Sequence, residues 1–214
     1  MANETVFTNK AADYATGRPG YAPQAIAYIL TDMIKDTETA ADIGSGTGIL
    51  AKEFFLRRVH TYCVEPNDDM RSEAEKMYGT NPYFHSIAAS AEYTGLPENS
   101  MKLITAASAF HWFDPQAFRK ECLRILQPDG MVCLLVNARV YDDFTGQQRE
   151  ICGKYCPAFT SFTHGMEKTL AGAEGFFGGN YHTEHFAFPL SYTKERFIRR
   201  SLSSSYAPIC GTAE

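Results

Sequence analysis

The sequence predicts an α/β fold built on a doubly wound, mostly parallel β-sheet. Helical and strand patterns alternate between residues 23 and 137, as they do in right-handed βαβ units. A glycine-rich run, "DIGSGTG", stands between a strand pattern and a helix pattern, where sheets of this kind bind ligands. The length of 214 residues fits one domain, so we expect residues 1–214 to form a single unit.

The alternation begins with a helix predicted over "PQAIAYILTDMI" (23–34), where apolar residues recur at helical spacing behind a proline. A short strand, "TAADI" (39–43), precedes the glycines, and "ILAKEFFLRR" (49–58) after them is helical. The β-branched and apolar run "TYCVE" (61–65) predicts the second strand. The next helix is "DDMRSEAEKMYG" (68–79), with an Asp cap and a closing glycine.

The second half of the alternation repeats this pattern. "YFHSIAA" (83–89) and "KLITAAS" (102–108) predict the third and fourth strands. "DPQAFRKECLRIL" (114–126) is a helix with Asp114 as its cap. The turn "QPDG" (127–130) then leads into "MVCLLVN" (131–137), a continuous apolar strand of the kind that is buried on both faces.

Beyond residue 137 the pattern is looser. We expect residues 138–181 to be a helical insertion that acts as a lid over the top of the sheet. "YHTEHFAF" (181–188) predicts a late strand, and "YTKERFIRRSLSSSY" (192–206) predicts a helix.

Composition narrows the functional classes. The net charge is −5 and no Lys/Arg cluster is present, so we expect a small-molecule partner and no nucleic acid. No apolar run approaches a membrane span, and no signal sequence opens the chain, which predicts a cytoplasmic protein without membrane contact. The six cysteines are expected to be reduced thiols. Cys152 and Cys156 lack a matched second ligand pair, so we expect no metal site. The oligomeric state is left open.

The glycine run has the spacing D-x-G-x-G-x-G, from Asp42 to Gly48. A dinucleotide fingerprint requires its third glycine where Ile49 stands, and no lysine follows to complete a triphosphate loop. The carboxylate of Asp42 repels a pyrophosphate and attracts an ammonium group. Glu65 ends the next strand, where an acid commonly binds the two hydroxyls of a ribose. A ribose without phosphates beside a cationic tail describes S-adenosylmethionine.

Several runs in order strengthen this interpretation. "DIGSGTG" and "VEPNDDM", with "YATGRPGY", "ASAEYTGLPENS", "AFHWFD" and "ILQPDG", resemble the class I S-adenosylmethionine-dependent methyltransferases of the type 11 subgroup, which includes enzymes similar to trans-aconitate methyltransferase. The resemblance covers residues 14–137 well and 182–206 loosely. It implies a Rossmann-like fold, S-adenosylmethionine as cofactor, and transfer of its methyl group to a small acceptor, with a carboxylate as the candidate.

The resemblance also implies roles for individual residues. Gly44, Ser45 and Gly46 would form the loop against the methionine portion of the cofactor, Asp42 would support that loop and the charged tail, and Glu65 would bind the ribose. The other implied cofactor contacts are Pro66 with Asn67 in the turn, Met70 at the adenine face, Ala91 and Glu92 at the adenine edge, Ala106 and Ala107 beneath the methionine chain, and Tyr14 and Arg18 in the N-terminal segment. For Met70 the alternative is a core side chain.

Three departures from the family pattern bear on these roles. Ser90 stands where the family often has Asp, so the contact to the adenine amino group is lost or runs through water. Lys102 replaces a usual Asp, which we interpret as a surface change. The chain stops at Glu214, where the family continues into a final antiparallel strand, so we expect that strand to be missing through truncation.

Methyl transfer from a sulfonium is an in-line displacement that depends mainly on placement and on exclusion of water. An alcohol or amine acceptor requires a base, and His111 is the candidate catalytic residue. The alternative for His111 is a hydrogen bond to neighbouring backbone. Arg18 is a candidate clamp for a carboxylate acceptor, with the cofactor carboxylate or a helix end as alternatives. "AASAFHW" after the fourth strand lacks the Asn-Pro-Pro-Tyr run of nucleic-acid and glutamine methyltransferases.

Two rival functions stay open: an NAD-dependent oxidoreductase, and a non-catalytic module that binds S-adenosylmethionine.

Overall fold

A computed structural model describes residues 7–35 and 38–208. Five parallel strands form one sheet in the order β3-β2-β1-β4-β5. They are β1 (Thr39–Ile43), β2 (His60–Val64), β3 (Phe84–Ile87), β4 (Met101–Ala107) and β5 (Leu126–Leu135). The chain winds outward from β1 through β2 to β3, and then in the opposite direction through β4 to β5. This confirms the predicted doubly wound α/β fold, with its switch point between β1 and β4.

Helices connect and extend the strands. They are α1 (Ala11–Gly17), α2 (Pro23–Tyr28) with a π-helical continuation (Ile29–Met33), α3 (Ala51–Phe55), α4 (Asp68–Tyr78), a 3-10 turn (Phe110–Trp112), α5 (Pro115–Ile125), α6 (Asp143–Tyr155), α7 (His164–Phe177) and α8 (Lys194–Leu202). The predicted cap Asp114 accepts the backbone N–H groups of Gln116 and Ala117. At α4 the cap is Asn67, not an aspartate, because its side chain accepts the N–H of Met70.

The core occupies both faces of the central strands. Ala40 and Ile43 of β1, and Leu103 and Ile104 of β4, are fully buried. Side chains of α2 and α3 cover one face, and side chains of α5 and α7 cover the other. Strands buried on both faces read as continuous apolar runs, which is why β1 and β4 were predicted correctly.

The outer strand β5 differs from its prediction. Its residues are half-buried or exposed, because β5 forms an edge of the sheet and pairs only with β4. The "QPDG" segment (127–130) lies inside the strand as a bulge. Leu126 pairs with Met101 and Met131 with Leu103, so those four residues stand opposite Lys102 alone.

The late strand predicted at 181–188 is wrong. The segment has no regular secondary structure and is mostly exposed. It is held by contacts with Tyr28 of α2, whose hydroxyl lies 2.7 Å from His182 Nε2 and whose ring lies 6.1 Å from that of Phe186. A strand must pair with a sheet edge. Within the part of the chain described here, the segment does not pair with the free edge of β5.

The segment after β5 is helical, as the sequence indicated, and contains α6 and α7. Helix α8 forms where a helix was predicted and packs closely on α1. A Cβ added at Gly17 would lie 2.4 Å from the backbone nitrogen of Arg200. This contact brings the C-terminal helix against the N-terminal segment and therefore beside the carboxyl ends of the strands.

Candidate functional site

A cavity of about 450 Å³ opens at the carboxyl ends of β1 and β4, at the switch point of the sheet. One side of its wall is the glycine loop after β1. The opposite side comes from residues 158–168 and from residues 200–206. The cavity therefore lies where open α/β sheets commonly bind ligands, and the helical segments after β5 form part of its wall.

The three loop glycines adopt left-handed backbone conformations, with φ of +67° at Gly44, +57° at Gly46 and +78° at Gly48. The N–H groups of Gly44 and Ser45 donate to the carbonyl of Val64 (2.9 and 3.2 Å). A Cβ at Gly44 would lie 2.7 Å from that of Ala109. Glycine is needed at this position both for its φ and for the space.

Asp42 is the acid at the end of β1, and it is 1% exposed. Its Oδ1 accepts a hydrogen bond from the hydroxyl of Thr105 (2.7 Å). Burial raises the pKa of Asp42 to about 7; the nearby charge of Glu65 adds to the rise, and the bond from Thr105 opposes it. A cation in the cavity would favour the ionised form of this carboxyl group.

Glu65 lies behind the glycine loop and is not part of the cavity wall. Its Oε2 accepts the N–H of Gly46 (2.8 Å) and its Oε1 accepts the N–H of Asn67 (2.9 Å). Burial raises the pKa of Glu65, and these two bonds partly offset the rise. The carboxylate thus fastens the loop to the turn after β2, while each oxygen keeps acceptor capacity for a hydroxyl group.

The remaining residues predicted at the adenine end are also outside the cavity wall: Pro66, Met70, Ala91 and Glu92. Met70 is 3% exposed, and its Cε would lie 3.2 Å from a Cβ at Gly46. Ala91 is buried. Glu92 accepts the N–H of Asp114 (3.0 Å). Of these side chains, Met70 lies against the glycine loop.

The N-terminal segment lines the cavity from α1, together with Phe7. The rings of Phe7 and Tyr14 meet edge to face at 5.6 Å, and the Arg18 guanidinium lies 5.0 Å from the Tyr14 ring centre. Arg18 donates from Nε to the hydroxyl of Ser203 (3.0 Å) and from Nη2 to its carbonyl (3.2 Å). Of the other predicted residues, Asp42, Gly44, Ser45, Gly46 and Ala107 lie on the same wall.

His111 lies on the 3-10 turn after β4 and lines the cavity. Burial, together with the charges of Lys168 and His164, lowers the pKa of His111 to about 4. Its Nδ1 is buried and has no hydrogen-bond partner. A Cβ at Gly165 would lie 3.0 Å from the ring. The imidazole is therefore neutral near pH 7, and its Nδ1 makes no bond of the kind expected under the alternative, a hydrogen bond to neighbouring backbone.

Sequence reasoning missed two arginines on the wall, Arg139 and Arg200. They come from the segment after β5 and from α8, so neither local spacing nor a motif could bring them together. Phe162, from the segment after β5, lies on the same wall.

No group of three or more metal-binding side chains occurs within residues 7–35 and 38–208. Over the same residues no helix is both long and apolar enough to cross a membrane.

Comparison with known proteins identifies the kind of domain that surrounds the cavity. A family model described as a methyltransferase domain matches residues 41–134. An uncharacterized methyltransferase of Mycobacterium tuberculosis is 30% identical over 145 residues, which are 68% of this chain and 56% of that protein. An uncharacterized methyltransferase-like protein of Schizosaccharomyces pombe is 29% identical over 191 residues, 86% of this chain and 71% of the relative. The chain thus spans little more than half of the Mycobacterium protein.

Solved structures agree at the level of the fold. A putative type II methyltransferase from Anaeromyxobacter dehalogenans superposes with a TM-score of 0.57 at 21% identity, covering 80% of this chain and 70% of that one. A putative S-adenosyl-L-methionine-dependent methyltransferase from Methanococcus maripaludis gives 0.54 at 17% identity, covering 81% and 80%. With its parallel sheet, its glycine loop and these matches, the chain has the fold of the class I S-adenosylmethionine-dependent methyltransferases, and its residues 41–134 form a methyltransferase domain of the type 11 family.

Proposed function

We propose that this chain transfers the methyl group of S-adenosylmethionine to a carboxylate oxygen of a small-molecule acceptor. The observation that carries the proposal is the uneven charge of the cavity wall. Four cationic side chains line it, Arg18, Arg139, Lys168 and Arg200, whereas Asp42 is its one acidic side chain among the described residues. An acidic acceptor fits such a wall better than an amine does.

The residues around the glycine loop fit the cofactor. The cavity has the size of a small-molecule site. The left-handed glycines leave the loop without side chains where the methionine portion would lie. Asp42 supplies a buried carboxylate for a cationic tail, and Glu65 holds the loop from behind with acceptor capacity for ribose hydroxyls. Movement of Met70 or of the loop would be needed to admit an adenine beside Glu65.

When bound, S-adenosylmethionine supplies a methyl carbon on a cationic sulfur, and a carboxylate oxygen takes that carbon while the bonding electron pair stays on sulfur. An ionised carboxylate has no proton to lose, so the chain need only place it in line and exclude water. Residues 158–168 and the N-terminal segment with Phe7 and Tyr14 close the cavity. We assign residues 138–181 the role of a lid on this basis.

His111 is the proposed catalytic residue. Because its pKa is about 4, the imidazole is neutral at physiological pH and has one donor and one acceptor nitrogen. With a carboxylate acceptor, its N–H would orient the reacting group, and no proton transfer is required. With an alcohol or amine acceptor it would have to act as a base, and a pKa this low makes it a weak one.

A screen of three classes of acceptor, namely acids, amines and phenols, tests the proposed function. We expect small carboxylic acids to yield methyl esters in a screen that also contains amines and phenols, with product detected by mass spectrometry. Methylation of amines or phenols in preference to every acid would overturn the choice of acceptor. In parallel, calorimetric titration with S-adenosylmethionine and with NAD separates the rivals. Binding of NAD alone supports an oxidoreductase, and cofactor binding without any turnover supports a non-catalytic module.

We also propose that the protein works in the cytoplasm on a free small molecule, without nucleic acid or membrane as partner. The overall charge of −5 supports this, because a nucleic acid requires an extended basic surface. The cationic groups described above lie within a cavity and do not form such a surface.

A further inference from the structure

Two guanidinium groups on the cavity wall are held in place entirely by neutral partners. Arg139 donates from Nη1 to Gln148 Oε1 (2.9 Å), and its guanidinium lies 3.9 Å from the centre of the Phe162 ring. The Arg200 guanidinium lies 5.1 Å from the centre of the Tyr192 ring. These contacts fix the positions of the two side chains and leave their charges uncompensated.

Within the part of the chain that the structure describes, no acidic side chain supplies a counterion to them. Over residues 7–35 and 38–208, no carboxylate forms an ion pair with Arg18, Arg139 or Arg200. The Nε of Arg200 is buried without a hydrogen-bond partner. Burial, together with the charges of Arg139 and Arg18, lowers the pKa of Arg200 to about 10. A bound anion would relieve both the missing hydrogen bond and the charge repulsion.

The cofactor and the reacting group do not account for these charges. S-adenosylmethionine has one carboxylate, and we assign Arg18 to it, because Arg18 directly follows α1, lies over the Tyr14 ring and lines the cavity. The reacting carboxylate of the acceptor loses its negative charge as the methyl ester forms. A guanidinium paired with that group would stabilise the ground state more than the transition state and would slow the reaction.

We propose that Arg139 and Arg200 form an anion subsite that binds a second, non-reacting acidic group of the acceptor, either a carboxylate or a phosphate. This inference rests on the methyl transfer proposed above. It makes the two arginines specificity-determining residues and defines the acceptor as a small molecule with at least two acidic groups. A group that stays ionised throughout the reaction is bound equally in the ground state and in the transition state, so the subsite lowers KM without slowing the chemical step.

Calorimetry on the full chain saturated with S-adenosylhomocysteine, and on the chain alone, measures this subsite directly. The probes are straight-chain dicarboxylates of three to six carbons, monocarboxylates of the same lengths, and phosphorylated carboxylates. We expect at least one diacid or phosphorylated acid to bind ten times more tightly than its matched monoacid. Tightest binding of a phosphorylated acid would identify the second group as a phosphate, and tightest binding of a diacid would identify a carboxylate.

Substitutions test whether the two arginines cause the preference for diacids over monoacids. Arg139→Gln and Arg200→Gln should each reduce diacid affinity at least tenfold and leave monoacid and cofactor affinity unchanged, with Arg200→Lys restoring part of the loss. In turnover, KM should rise while kcat is maintained. Arg196→Gln is the matched control, because Arg196 lies over the same Tyr192 ring at 5.4 Å but is not on the cavity wall, and it should bind diacids normally.

Two outcomes overturn the subsite: equal affinity for diacids and monoacids throughout the series, or a diacid preference that survives both glutamine variants. Either can occur while S-adenosylmethionine still binds and methyl esters still form, in which case the proposed function stands without the subsite. Absence of cofactor binding overturns the proposed function instead. The anion titration on the protein alone does not require the cofactor, so its result still tests the subsite.

Discussion

The sheet half of the molecule (residues 39–135) and its lid half (residues 136–208) are stabilised in different ways. In the sheet half, large side chains such as Phe54 and Phe118 are fully buried. In the lid half, α6 buries only Thr145 and α8 buries no residue. Helix α7 is the exception, because its Ala173 and Phe176 are part of the core. Elsewhere in the lid half, polar bonds and ring contacts such as Arg139 over Phe162 hold the segments together. The comparison indicates that the sheet half supplies most of the buried core. Under the function proposed above, the sheet half would also place the cofactor, and the lid half would recognise the acceptor.

The strongest test of this comparison exchanges one phenylalanine in each half for alanine. Phe54 is 0% exposed, whereas Phe144 is 57% exposed and contacts Phe197 at a ring distance of 5.4 Å. We expect Phe54→Ala to lower the free energy of unfolding by about 3–5 kcal/mol through loss of burial and a cavity. Phe144→Ala should cost about 0.5 kcal/mol. Urea denaturation measures both, and similar losses in the two variants would contradict the comparison.

A second test separates two causes of glycine dependence within the sheet half. Gly44 has a positive φ and no room for a Cβ, while Gly95 has a φ of +73° and nothing within 4 Å of an added Cβ. Gly44→Ala should cost about 2–4 kcal/mol, since strain and overpacking both contribute. Gly95→Ala should cost only the strain, about 1–2 kcal/mol. If the two losses of unfolding free energy are equal, the contact with Ala109 contributes nothing.

The same division explains how much of the fold could be predicted from sequence. In the sheet half, burial imposes periodicity: β1 was predicted to the residue, and β2, β4 and α5 within one or two residues. In the lid half, little is buried, so the pattern carries little information. The run 181–188 alternates like a strand but pairs with neither edge of the sheet, and it folds against Tyr28 instead. The strand β5 has the composition of a buried strand but lies at an edge.

The candidate site follows the same rule. Gly44, Gly46 and Asp42 belong to one local motif, so their sequence spacing identifies them. Arg139 and Arg200 meet only because α8 packs on α1 and the segment after β5 folds over the cavity. Such a meeting depends on tertiary packing, which no local pattern encodes. Glu65 was recognised from its position, but not its bonds to the backbone of the loop.

A third prediction concerns the pH dependence of cofactor binding, which the sheet half should control. Asp42 has a pKa of about 7 in the free protein, raised by burial, and a bound cation favours its ionised form. Binding below pH 7 therefore releases a proton, so affinity should rise with pH. Between pH 5.5 and 7 the dissociation constant for S-adenosylmethionine should fall about tenfold. Calorimetry in two buffers of different ionisation enthalpy measures both affinity and proton release.

Asp42→Asn is the matched variant for this measurement, because it keeps the shape of the side chain and cannot ionise. Its affinity should be weak and should vary little over the same pH range. If Asp42→Asn shows the same pH dependence as the unchanged protein, another group controls it, and Asp42 does not face the cationic tail.

The smallest expected effect tests whether burial sets the loss of stability when a charged residue of the sheet half is replaced. Lys102 lies on β4, yet its Nζ pairs with the exposed carboxylate of Asp129 (2.6 Å). Glu121 on α5 is 5% exposed and accepts the N–H of Thr94 (2.9 Å). Since exposed ion pairs contribute little, Lys102→Ala should shift the melting temperature by less than about 2 °C. Glu121→Gln should lower it further, because it weakens a buried hydrogen-bonded charge. A larger shift for Lys102→Ala than for Glu121→Gln would mean that burial does not set the cost of a substitution in the sheet half.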